Sequence, residues 1–221
     1  RAFFMQGCKI IVIGAAFRQS KLLFEYMETF YKNSPVFSNM VGAGKGQGPK
    51  RDIDRCTFYI GQSEITAIPL GDGSKIRGLR ANYIVADEFA SIPQEIFEVV
   101  IKGFGAVSAN PADKVKEYAQ IQKLKELGMH EEAEEIEGEL GFGNQTIIAG
   151  TAYYAFNHFY DYFVRQREIV RSKGDERYLE ERVFKGKIPD GFDWTHYSVM
   201  RIPEGLLPEG FLDKSQLAQA K

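Results

Sequence analysis

The run Tyr83-Ile-Val-Ala-Asp87-Glu88 sets two adjacent carboxylates directly after four apolar residues. A short apolar run closed by a turn reads as a strand buried on both faces of a parallel sheet. Ligands of open α/β sheets bind at the carboxyl ends of such strands. There Asp87 can hold magnesium, directly or through water, and Glu88 can polarise the water that attacks a γ-phosphate. The chemistry such a pair serves is phosphoryl transfer. The competing reading is that the two acids only open a helix or face solvent, and spacing alone leaves both open.

Two more polar residues stand where they can join this site. Ile147-Ile-Ala-Gly150-Thr151 is a second apolar run ending in small polar residues, and Asn157 precedes the next helical stretch. On a strand beside the acidic one, the Thr151 hydroxyl or the Asn157 amide can sense a γ-phosphate and move the segment downstream. The simpler alternatives are a turn residue for Thr151 and a helix cap for Asn157. Arg18 and Gln19 lie where the first strand hands over to a helix, on the same expected edge. Nucleotide or DNA contact competes there with capping and solvation.

The elements that must carry these residues alternate in type. Lys9-Ile-Ile-Val-Ile-Gly14 has the pattern of a buried parallel strand, and Phe17 to Tyr31 has apolar residues at helical spacing (Leu22, Leu23, Tyr26, Met27, Phe30). Val41 to Arg51 is rich in glycine and charge and reads as a flexible loop. Residues 56–60 and 64–68 alternate as a hairpin about Gly61-Gln62, and a second turn follows at Gly71 to Ser74. A short helix is expected over Pro93 to Lys102, and two charged amphipathic helices over 111–138 form an insertion broken at Gly128-Met129. Gln145 to Gly150 returns to the buried-strand pattern, and Asn157 to Arg171 is helical with a stripe of Phe159, Tyr162 and Phe163. The fold class is therefore α/β, a mostly parallel sheet flanked by helices.

Bulk properties fit one well-buried domain: 221 residues, 44% of them hydrophobic. A net charge of −2 supplies no global basic field, so any nucleic-acid contact must come from local patches. Cys8 and Cys56 are too few for a disulfide framework or a zinc site and read as buried small apolar residues, which suits a reducing compartment. No apolar run approaches the ~20 residues needed to cross a bilayer. The chain begins with Arg1 and enters a strand at once, so a fragment is the expectation.

Four stretches together resemble the large terminase subunit of tailed bacteriophages, in that family's order. They are residues 9–20, Lys75-Ile-Arg-Gly-Leu-Arg-Ala81, Tyr83-Ile-Val-Ala-Asp-Glu-Phe-Ala90 and residues 146–160. The Arg-Gly-Leu-Arg lead-in discriminates most, because many helicases share the Asp-Glu pair. The resemblance implies a P-loop NTPase-like core that uses ATP and Mg2+, with Asp87 as the magnesium-holding acid and Glu88 as the catalytic glutamate. It further implies that Thr151 and Asn157 lie in the segment coupling hydrolysis to movement. Arg77, with Arg80 second, would act on a neighbouring subunit's ATP. Surface ion pairing is an equal alternative for both arginines. The partners implied are double-stranded DNA, a small terminase subunit, a portal protein and further copies in a homo-oligomeric ring, with no membrane. The implied location is the host cytoplasm, docked transiently on a procapsid.

Two departures limit the resemblance. No glycine-rich turn ending in Gly-Lys-Ser or Gly-Lys-Thr occurs in the 221 residues. Gly42-Ala-Gly-Lys45-Gly-Gln-Gly48 has no Ser or Thr after its lysine and no buried strand before it, so it does not substitute. Contact of Lys45, Lys50 and Arg51 with DNA phosphates is a minor alternative for this loop. The nuclease domain that usually follows is also missing. Residues 1–188 are thus expected to form an incomplete ATPase core, and 189–221 a linker towards that domain. A helicase or other translocase lobe is the same-class alternative. A non-enzymatic α/β binding module is the alternative of a different class.

Overall fold

The computed structural model describes residues 2–3, 7–42, 44, 46–70, 79–101, 103, 111–140, 144–151, 156–203 and 206. Its contacts divide the chain into two compact units, Arg1–Ala152 and Tyr153–Lys221. The boundary expected at 188 lies inside the second unit.

The first unit opens with strand β1 (Lys9–Gly14) and helix α1 (Phe17–Asn33), followed by the short helix α2 (Pro35–Val41). Ser34 starts α2 by accepting a hydrogen bond from Phe37 N, with Pro35 in the first turn. Strands β2 (Gly48–Arg51), β3 (Cys56–Ile60), β4 (Ser63–Pro69) and β5 (Tyr83–Ala86) come next. The short helix α3 (Gln94–Ile96) runs into a π-helical turn (Phe97–Ile101). A helical hairpin of α4 (Pro111–Glu126) and α5 (His130–Leu140) and a last strand, β6 (Gln145–Ile148), complete the unit.

The six strands form one sheet in the order β2-β3-β4-β1-β5-β6. β4, β1, β5 and β6 run parallel, while β3 is antiparallel to both β4 and β2. The expected α/β class with a mostly parallel sheet is what the protein adopts. β1 lies inside the sheet with Ile11, Val12 and Ile13 all buried: its two strand neighbours pair its backbone, and the layers packed on the sheet, α1 among them, keep water from its faces. Register puts Val12, Ala67 and Val85 on one face of the sheet. That face belongs to a core cluster in which Phe24 of α1 meets Phe58 of β3 edge-on at 6.4 Å, and Tyr31 meets Phe58 at 5.6 Å.

Three sequence expectations change. Residues 48–51 are strand rather than loop, paired antiparallel with β3. Proline and glycine are tolerated there because β2 is the sheet edge. Arg51 also ties β2 to α1 through Glu28 and Glu25, and the Tyr31 ring lies 3.3 Å from where a Cβ on Gly48 would sit. α1 is a helix as expected, but its buried side runs through Ser20 and Phe24, leaving Leu22, Leu23, Tyr26 and Phe30 exposed. β6 reads as a buried strand yet is the other edge. Gln145, Thr146 and Ile147 are exposed because no described strand lies on its outer side.

Two helices form over 111–140, as the sequence pattern there predicts. Gly128, at φ 77°, turns the chain between α4 and α5, and Ile121 and Ala133 are buried. Cys8 and Cys56 are both buried, as expected, and burial pushes the Cys56 thiol pKa up.

The second unit consists of α6 (His158–Ser172), a short helix α7 (Glu176–Tyr178) that runs into a π-helical turn (Leu179–Phe184), and a 3-10 turn at Trp194–His196. Among its described residues Ile169, Ser172 and Leu179 are buried, and Phe192 packs against Phe184 at 5.0 Å and Tyr197 at 5.5 Å. Among the described residues no helix is long and apolar enough to cross a membrane.

Candidate functional site

Because β1, β5 and β6 are adjacent and parallel, their carboxyl ends share one edge of the sheet. Asp87 is the first residue past β5, and its N–H continues the ladder by donating to Ile13 O at 2.8 Å. Two residues on, Phe89 N donates to Ala149 O at 2.9 Å, so the turn after β5 is fastened to β1 on one side and to the end of β6 on the other. The fully buried Phe89 ring, edge-on to Phe97 at 4.6 Å, anchors the same turn below. Both carboxylates sit on this fastened segment and are only partly buried.

Between those fixed points Glu88 adopts φ 48° and ψ 47°, the left-handed region that a side chain with a Cβ rarely occupies. Asp87 Oδ1 accepts from Glu88 N at 3.0 Å, and Glu88 O accepts from Ser91 N at 2.9 Å, opening the 3-10 turn Phe89–Ser91. The tight reversal gives the acids successive backbone orientations at the sheet edge instead of letting Glu88 extend β5. Among the described residues no group of three or more His, Cys, Asp or Glu is placed to hold a metal ion. Magnesium does not require one: it is usually held by one or two carboxylates together with water and phosphate oxygens. The donor set of Asp87 with Glu88 fits that requirement.

Arg18 and Gln19 lie in the first turn of α1, four and five residues beyond the carboxyl end of β1, and so belong to the same edge. Gln19 is engaged as a cap, its Oε1 accepting from Ala16 N at 2.9 Å, whereas Arg18 is exposed. Thr151 is exposed three residues past β6 and also leaves from this edge. Asn157 belongs to the second unit, where its Oδ1 accepts from Phe159 N at 2.9 Å and caps α6. Arg77 lies outside the described residues. Arg80 is exposed at the amino end of β5, the opposite edge from the acids. At roughly 3.3 Å per residue the four residues of β5 alone hold them about 13 Å apart.

Two residues, Gly14 and Ser20, position this edge, and a third, Asn82, fixes β5 at its opposite end. Gly14 closes the step from β1 into α1: a Cβ there would stand 2.9 Å from Gln19 Cβ and 3.2 Å from Ser20 N. The buried Ser20 hydroxyl lies 3.0 Å from Ile68 O, pinning the first turn of α1 to the end of β4. Asn82 fixes the start of β5, its Oδ1 accepting from Lys9 N and its N–H donating to Lys9 O, both at 2.8 Å. A glycine ending an apolar run is the one of these signals visible in the sequence.

No family model matches the chain, and no curated protein matches it. Among solved structures, the large terminase ATPase domain of a Thermus phage is similar to it, with a TM-score of 0.40 and 12% identity over 72% of this chain and 53% of that one. The chain thus spans about half the length of that structure. A likeness of this degree carries no argument about the site, whose chemistry rests on its own residues.

Proposed function

We propose that these 221 residues form the acidic-strand part of an ATP-hydrolysing motor, the large subunit of a viral terminase that drives double-stranded DNA into a procapsid. The observation that carries this reading is the Asp87-Glu88 pair, fastened between the carboxyl ends of β1 and β6 with Glu88 turned into a left-handed conformation. In this reading Asp87 holds Mg2+ against the ATP phosphates. Glu88 takes the proton of the attacking water as the γ-phosphoryl group is transferred. Thr151, exposed past β6, supplies a hydroxyl for sensing that phosphate. Asn157, as the cap of α6, relays movement to the second unit through its own helix start.

An arginine of the lead-in, Arg77 or Arg80, neutralises charge on the phosphoryl group bound by a neighbouring copy. The place of Arg80 at the amino end of β5 supports action in trans, since that edge is remote from the acids of its own chain. The small terminase subunit, the portal protein and a ring of identical copies are the partners this reading requires. The host cytoplasm is its location.

The phosphate cradle is the part this sequence does not contain. A triphosphate draws most of its binding from backbone N–H groups and the lysine of such a loop. The 221 residues alone are therefore expected to turn over no ATP. The test uses a longer protein with the natural upstream sequence. Magnesium-dependent ATP hydrolysis is expected there, falling at least about a hundredfold in Glu88→Gln. Equal turnover by the parent and Glu88→Gln would sink the role given to Glu88. Asp87→Asn keeps the acceptor for Glu88 N and should retain the fold while raising the magnesium concentration needed for half-maximal rate.

A further inference from the structure

We draw no further inference here: the strongest candidate, the open outer edge of β6 with Ile147 51% exposed, carries nothing because no described residue shows what covers it.

Discussion

Glu88 joins two properties that rarely meet in one residue, a charged side chain at a sheet edge and a left-handed backbone. For an L-residue that backbone costs about 1–2 kcal/mol, which glycine avoids and a β-branched residue feels most. Glu88→Gly should therefore be more stable than Glu88→Val by at least about 1 kcal/mol in urea unfolding. Equal midpoints and slopes for the two variants would mean that the turn relaxes to another conformation. A second residue-scale effect belongs to Glu28. Its hydrogen bond from Arg51 holds the carboxyl below its usual value, against burial, and Lys32 adds to the lowering. A carboxylate depressed in the folded state contributes stability above its unfolded pKa, and that stability is lost as pH falls through the lowered folded value. The window thus lies around and below the ordinary value of 4.5. Glu28→Gln should cost under about 1 kcal/mol at pH 7. The gap to the parent should close below about pH 4, as denaturation midpoints measured at several pH values will show.

At the scale of elements, the step from β1 to α1 decides how the candidate edge is built. Gly14 is followed by only two residues before the helix, and the first turn of α1 sits so close that a Cβ on Gly14 meets Gln19 and the backbone of Ser20. Backbone cannot swing aside as a side-chain tip can, so Gly14→Ala should destabilise by about 1–3 kcal/mol. A thermal or chemical melt unchanged from the parent would show that α1 can lift without cost. The hairpin of β3 and β4, the strand before Asp87 and the helices α4 and α5 were all legible, because alternation, apolar runs and glycine breaks are local signals. The buried side of α1 was not, for a reason its own residues give. Phe17, Leu22, Leu23, Phe24, Tyr26, Met27, Phe30 and Tyr31 spread apolar groups over roughly 220° of the helix circumference at 3.6 residues per turn, wider than the buried side needs. The choice among those faces is made by tertiary partners: the Ser20 bond to Ile68 O and the seat of Phe24 against Phe58. The strand identity of residues 48–51 was hidden in the same way, since Gly-Pro-Lys-Arg pairs only because an edge accepts it. Of the site, the acidic pair and its edge were readable from spacing. The left-handed turn at Glu88 was not, because it comes from anchors to Ile13 and Ala149 that lie far away in sequence.

For the whole molecule, the division into two compact units gives the second unit a reporter of its own. The chain has a single tryptophan, Trp194, and it packs within that unit over Gly174, just past the end of α6. α6 ends with Lys173 and Gly174 in succession at φ 51° and 87°. The Ser172 hydroxyl assists the ending, accepting from Gly174 N at 3.2 Å. A Cβ on Gly174 would stand 2.7 Å from Trp194 Nε1 and 2.9 Å from its Cδ1, on a backbone that disfavours any side chain. Gly174→Ala therefore imposes two costs, left-handed strain of about 1–2 kcal/mol and displacement of the indole. The fluorescence-detected unfolding midpoint should fall, with the native emission moved to the red because the ring loses its seat. None of the sheet contacts of the first unit involves residue 174, so its secondary-structure signal supplies the control. A variant with parental emission and midpoint would show that Trp194 does not rest on Gly174 and that α6 does not end in this left-handed pair.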